Sequence, residues 1–176
     1  MVNSIAGILN APGGAFSTGA VILVGQRIGR GDSHDVRKTA YFSVVAAMVL
    51  LTFVCLLTFI LMNPILSLYY TTDEMLVILR PVLITMFVMT PIAWPASFVT
   101  PGALRATGDV KYTMVVAVAS MIFVRVAFAY ILGVHFGLGI LGVWFSMYMD
   151  WIVRGVFFLN RVRNGKWQGR GVVNDD

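Results

Sequence analysis

Three ionisable side chains interrupt the last two apolar stretches of the chain. Arg125 stands in MIFVRVAFAYIL, residues 121–132, while Asp150 and Arg154 stand in YMDWIVRG, residues 148–155. Arg125 follows Lys111 by about 21 Å along a helix, and Asp150 precedes Arg161 by about 16 Å. Lys111 and Arg161 are basic residues at the predicted cytoplasmic ends of the two stretches. Insertion scales put an unpaired charge at such depth at about 2.5 to 3.5 kcal/mol, so the spacing predicts an ion pair between the two stretches. Arg154 lies one turn after Asp150 and could share the carboxylate or take it over.

Two roles are open for Asp150. A proton- or sodium-coupling carboxylate needs a state in which it is free of arginine and reached by water. A structural clamp stays paired and ionised. Two guanidiniums within reach favour the ionised form, and therefore the clamp.

The composition is that of a membrane protein. Hydrophobic residues make up 59% of the chain and charged residues 12%, against roughly 25% charged residues in soluble domains, and the mean hydropathy is +0.85. The net charge of +5 comes from basic residues that stand between apolar runs. A nucleic-acid-binding face would need them clustered on a soluble surface, so topology explains them better.

Other site chemistries find little support in the sequence. The single cysteine, Cys55, excludes a disulfide framework and a cysteine-based metal site. His34 and His135 fall in loops predicted on opposite sides of the membrane, so they cannot share a metal. With no nucleophile arrangement, phosphate loop or metal-ligand cluster, we expect no enzyme activity and no cofactor. A coupling proton or sodium ion is the one ligand of this kind that we suspect.

Five apolar runs are each long enough to cross a hydrocarbon core that needs about 20 residues. Helices are expected because lipid offers no partner to an open backbone, and barrel strands are only about 10 residues long. The predicted spans, numbered one to five, are residues 5–26, 40–62, 77–100, 112–134 and 138–159.

The loops of the two sides differ in charge. Basic residues follow spans one, three and five, whereas the loops after spans two and four contain no Lys or Arg. The positive-inside bias therefore places the amino terminus outside and the carboxyl terminus in the cytoplasm. Residues 1–167 would form the transmembrane unit and residues 168–176 a polar cytoplasmic tail. An outside amino terminus that begins Met1-Val2-Asn3, without a basic leader, is well explained by a missing preceding helix.

Two spans contain residues that could serve transport. In span one, Pro12, Gly13 and Gly14 could form a hinge, or could simply allow close helix packing. In span three, a stripe of soft and weakly polar side chains could line a cavity for apolar cations, with an aromatic ring to add cation–π attraction. Ordinary helix packing is the alternative. The candidate lining residues are Met86, Met89, Thr90 and Trp94.

Two Gly-rich cytoplasmic turns carry the most specific signal. LVGQRIGRGD follows span one and PGALRATGDVKY follows span three; their glycines can supply positive φ and their aspartates can cap helices. The first contains Gly25, Gln26, Gly29, Gly31 and Asp32, and the second contains Leu104, Arg105, Gly108, Asp109 and Tyr112.

In this order and spacing, the two turns resemble those of the multidrug and toxic compound extrusion (MATE) family of secondary transporters. Residues 63–83 and 141–167 are also similar to family segments, and the resemblance covers about residues 4–167. It implies two six-helix lobes about a central cavity, of which this chain would supply helices eight to twelve. It also implies a multi-pass protein of the cytoplasmic membrane that needs an amino-terminal lobe or a second chain as partner.

The function implied by this resemblance is efflux of cationic or amphipathic xenobiotics in exchange for protons or sodium ions. Sodium-coupled members have a carboxylate pair on helices seven and ten, but span three, which matches helix ten, contains no acid. This departure places cation coupling by this segment in doubt. The alternatives are a flippase for lipid-linked oligosaccharides and a membrane remnant that does not transport.

Overall fold

Every regular element in the described part of the chain, residues 2–31, 33–67 and 73–167 of this computed structural model, is a helix. Five spans in that part are long and apolar enough to cross a membrane. They are Ala6–Ile28, Asp35–Ile60, Leu76–Ala106, Val110–His135 and Gly139–Arg163. The predicted all-α architecture with five spans is therefore confirmed. The predicted tail, residues 168–176, lies outside the described residues.

Most of these spans are single helices, but spans three and four are composite. Span one is α1, Val2–Ile28; span two is α2, Ser33–Ile60, followed by the short α3, Met62–Ser67. Span three is α4, Asp73–Phe98, and α5, Thr100–Ala106. Span four is α6, Val110–Ser120, a first π segment, Met121–Val126, α7, Ala127–Tyr130, and a second π segment, Ile131–His135. Span five is α8, Gly139–Arg163.

The junction of α4 and α5 is tied to span one. Pro101 has no N–H to donate to the preceding turn, and the nearby carbonyl oxygen of Phe98 accepts a hydrogen bond from Ser17 Oγ at 2.9 Å. A Cβ at Gly102 would lie 2.9 Å from the backbone oxygen of Ser17. The absence of a side chain at Gly102 therefore lets α5 pass directly against α1.

Two buried clusters form the core. The larger lies between α1, α2, α4 and α8, and includes Leu9, Leu51, Met86, Trp94 and Tyr148. The smaller lies at the end where the two Gly-rich turns meet, and includes Val24, Val36, Leu104, Phe158 and Trp167. Together they join spans one, two, three and five into one packed unit.

Span four lies at the edge of this unit and packs chiefly on α8. Only 6% of its most apolar stretch is buried. Its contact with α8 is close, because a Cβ at Gly142 would lie 2.6 Å from the backbone of Leu132. Contacts on two sides of α8 also explain why both Asp150 and Tyr148 are buried, although they point in different directions around the helix.

Candidate functional site

The Asp150 carboxylate is fully buried and receives hydrogen bonds from two sides. Arg154 Nη2, one turn later on α8, donates to Oδ2 at 2.7 Å. The hydroxyl of Ser120, at the end of α6, donates to Oδ1. A buried charge is tolerated only when it is paired and hydrogen-bonded, and both conditions are met here. The carboxylate thereby connects span five to span four.

Arg154 extends this connection to span three. Its Cζ lies 5.1 Å from the centroid of the Phe98 ring, within the range of a cation–π contact. Phe98 in turn stacks on Trp94, with ring centroids 4.8 Å apart. The guanidinium is largely buried, and its Nε has no hydrogen-bond partner among the described residues.

The described residues show no ion pair between Arg125 and Asp150; Arg154, the alternative partner that the spacing offered, takes the carboxylate instead. Within the described residues the carboxylate bonds to Arg154 and Ser120, and Arg125 is half-buried in the first π segment. Counting along straight helices placed Arg125 about 5 Å deeper than Asp150, a difference that an arginine side chain could reach across. In the structure the carboxylate contacts Ser120, which lies five residues, or about 7.5 Å, before Arg125 along span four. Arg125 is close enough to Arg154 for their like charges to interact.

The predicted cavity residues belong to the packing core of the described structure. Met86, Thr90 and Trp94 are buried, and Met89 packs against the same cluster. One face of Trp94 is stacked on Phe98. These contacts favour the packing interpretation over an open substrate wall.

The two glycines of the predicted hinge have different surroundings. A Cβ at Gly13 would overlap the Trp94 ring, whereas a Cβ at Gly14 would meet nothing within 4 Å. Pro12 lies inside the continuous helix α1. Gly13 is therefore a site of close contact between spans one and three, which favours packing here as well.

The two motif turns adopt closely related shapes. Gly31 and Gly108 have φ values of 76° and 86°, as the predicted need for positive φ requires. At Gly108 the backbone N–H groups of Gly108 and Asp109 donate to the carbonyls of Arg105 and Leu104 at 3.0 and 3.1 Å. These two bonds form a Schellman motif that ends α5.

The first motif lies at the exposed end of α1. Gly25, Gln26 and Gly29 are exposed there, and Asp32 lies outside the described residues. Of the second motif, Leu104 is buried, and Arg105 Nε donates to the carbonyl of Pro101 at 3.2 Å.

A second buried ion pair was not predicted. Asp109 is the N-cap residue of α6 but makes no capping bond through its side chain; its fully buried carboxylate accepts a bond from Arg161 Nε at 2.7 Å. The Arg161 guanidinium also lies 4.4 Å from the Tyr112 ring centroid. The sequence indicated only that the two residues lie at the same end of the molecule, because Asp109 and Arg161 both fall in segments predicted to face the cytoplasm. It did not indicate that they pair.

A metal site is not evident in the described part of the chain, where no group of three or more His, Cys, Asp or Glu side chains converges. His135 lies in the second π segment and contacts the Phe136 ring. Cys55 is buried in the larger cluster. The Asp150–Arg154 ion pair lies within α8, and the Asp109–Arg161 pair joins the start of α6 to α8.

Comparison with known proteins gives the family. A model of the MatE family matches residues 1–131. The chain is 28% identical over 161 residues to the uncharacterized transporter YisQ of Bacillus subtilis (strain 168), covering 92% of this chain and 35% of that protein. It is 24% identical over 162 residues to the probable multidrug resistance protein NorM of Thermotoga maritima, with the same two coverages.

A probable multidrug resistance protein NorM of Rhodopseudomonas palustris is 26% identical over 141 residues, which is 78% of this chain and 30% of that protein. The chain thus spans about a third of the length of these relatives. No solved structure matches it. Members of the family are transporters rather than enzymes. With its motif turns, its five spans and the match over residues 1–131, the chain is a multi-pass membrane protein that belongs to the MatE family.

Proposed function

We propose that this chain forms part of a secondary active transporter that exports cationic or amphipathic compounds across the cell membrane in exchange for protons or sodium ions. The observation that carries the proposal is the family match over residues 1–131. The relatives named as probable multidrug resistance proteins support the substrate class, since their similarity extends over 78 to 92% of this chain.

Transport should need further transmembrane segments beyond the five described here. The chain spans 35% of the length of the first two relatives, and alternating access in secondary transporters requires two units that rock against each other. Span four presents a broad apolar face, with Phe123, Val126 and Val134 all more than 60% exposed. An amino-terminal lobe or a second chain is the partner proposed for the missing half of the pathway.

Asp150 acts in this proposal as a clamp rather than as the coupling carboxylate. Its oxygens are occupied by Ser120 and Arg154, and the pair carries no net charge. A coupling carboxylate must exchange its partner for a proton or sodium ion and must meet water during the cycle. The acid that couples transport would then belong to another segment of the functional transporter.

Expression in drug-sensitive cells tests the proposal. The chain alone should give no resistance to cationic dyes, whereas co-expression with the amino-terminal lobe of a MatE relative should restore gradient-dependent efflux. Membrane fractionation of the same cells checks the location. Resistance conferred by the monomeric chain alone would refute the need for a partner, and a failure of every combination to move any cationic compound would refute the efflux function.

A further inference from the structure

A cleft of about 370 Å³ opens between α4, α5, α6 and α8. Its wall is mostly apolar and includes Met114 and Phe158, while four polar side chains also line it: Ser97, Arg105, Thr113 and Arg154. All six residues fall within the membrane spans, towards the end of the molecule where the two Gly-rich turns lie. A ligand that fits this cleft must therefore be largely apolar and carry one polar group.

Two buried polar atoms of the lining make no hydrogen bond within the described part of the chain. Ser97 Oγ and Arg154 Nε lack hydrogen-bond partners among the described residues, and both side chains are more than nine-tenths buried. Leaving such atoms unsatisfied is costly, so native structures usually supply a partner. Both atoms can donate a hydrogen bond. An acceptor, such as an oxygen of an anionic group, would therefore satisfy both atoms.

The charges of the cleft agree with an anion. Arg105 and Arg154 contribute two positive charges, and Asp150 offsets one of them. Arg125, close enough to interact with Arg154, makes the surroundings more positive still. Basic pockets between transmembrane helices on the cytoplasmic side are known to hold phospholipid head groups.

We propose that this cleft binds an anionic phospholipid of the surrounding bilayer. The phosphate lies between Arg105 and Arg154, where it accepts hydrogen bonds from Ser97 Oγ and Arg154 Nε, and an acyl chain lies along Met114 and Phe158. At 1.5 Å per residue, the Cα of Arg154 is about 13.5 Å from the end of α8, and its guanidinium turns back towards Asp150, so the phosphate lies within the cleft, below the head-group plane. The ligand is held rather than transported, so this inference does not depend on the efflux function.

Retention of lipid by the purified chain tests the site. The chain is extracted from nanodiscs of equal phosphatidylglycerol and phosphatidylcholine, and its bound lipid is measured by native mass spectrometry. Phosphatidylglycerol should be retained preferentially, and Ser97→Ala or Arg105→Gln should lower its retention about tenfold, as expected for loss of a charge-assisted hydrogen bond. Lys111→Gln is the matched control. Lys111 is an exposed cation at the start of span four, close along the chain to Arg105, but it does not line the cleft.

A second pair of variants tests the cleft without changing its charge. Met114 and Val115 are both 60% exposed on α6, but only Met114 lines the cleft. Met114→Trp should abolish phosphatidylglycerol retention, while Val115→Trp should leave it unchanged, with equal helix content by circular dichroism.

Three outcomes would overturn the proposal. The first is equal retention of the two lipids, and the second is an unchanged preference in Met114→Trp. The third is complete displacement of the lipid by millimolar inorganic phosphate, which would assign the site to a soluble anion instead.

Discussion

The carboxylate of Asp150 receives its second hydrogen bond from a neutral hydroxyl, not from the nearby guanidinium of Arg125. Arg154, one turn away on the same helix, already balances the charge, and Ser120 completes the hydrogen bonding across the helix interface. Removing one partner of a buried ion pair leaves an uncompensated charge, whereas replacing both partners can be nearly neutral. The roles of Asp150, Arg154 and Arg125 can therefore be distinguished by how much each substitution destabilises the fold.

Asp150→Asn should lower the free energy of unfolding by about 3 to 5 kcal/mol, because Arg154 then stays buried without a counter-charge. Thermal denaturation in detergent, followed by circular dichroism, measures the loss. The double variant Asp150→Leu with Arg154→Met should recover most of it. Arg27→Gln is the control, since it breaks the partly exposed pair with Asp35 and should cost less than about 1 kcal/mol. Equal stability of Asp150→Asn and the native chain would contradict the clamp.

Arg125→Leu should be far milder than Asp150→Asn. The substitution removes a cation that makes no ion pair among the described residues and that repels Arg154, and it adds an apolar side chain in a membrane span. The same melting experiment should show native or higher stability. A loss as large as that of Asp150→Asn would restore the Arg125–Asp150 pair that the sequence predicted.

At the scale of helices, the sequence predicted where each helix begins and ends better than it predicted which face of each helix meets its neighbours. Lengths and approximate ends of the five spans follow from hydropathy, because lipid forces each apolar run into a helix of sufficient length. The positive-φ glycines of both turns were also predictable from residue type. Partners across helices were not, since the rotation of each helix and the π segments of span four depend on packing. Asp109 was accordingly assigned to capping, although it binds Arg161.

Substitutions of Gly13 and Gly14 distinguish a hinge from a packing contact. Gly13→Ala should destabilise the protein by about 1 to 3 kcal/mol, because the new methyl group overlaps the buried Trp94 ring. Gly14→Ala should be neutral or slightly stabilising, since nothing lies near its Cβ and alanine favours helix. Thermal melting of the two single variants makes the comparison. Comparable stability of the two variants, together with loss of efflux when each is co-expressed with an amino-terminal lobe, would instead indicate a hinge.

At the scale of the whole molecule, the turns between helices lie at two opposite ends of the helix bundle. The turns near Gly31 and Gly108 and the residues after α8 gather around the smaller core cluster, and the turn near Phe136 lies at the other end of spans four and five. The positive-inside bias predicts that the first end faces the cytoplasm.

Site-directed thiol labelling measures this orientation. Cys55 is buried, so a Cys55→Ala background provides a silent starting point for new cysteines at exposed positions. A cysteine in place of Arg30 or Asn164 should react with a membrane-impermeant maleimide only after the cells are opened, and one in place of Phe136 should react in intact cells. The reverse pattern would invert the proposed topology, and reaction of all three in intact cells would contradict the five-span arrangement.

The peripheral position of span four has a consequence for biosynthesis. Its main packing partner, α8, follows it in the chain, so span four leaves the ribosome before the surface that receives it exists. At about 5 to 20 residues per second, the 25 residues of α8 take one to a few seconds to make. During that interval Arg125 and Ser120 must be sheltered by lipid or by the insertion machinery. A ribosome pause within α8 would prolong this exposure and direct the nascent chain towards membrane quality control.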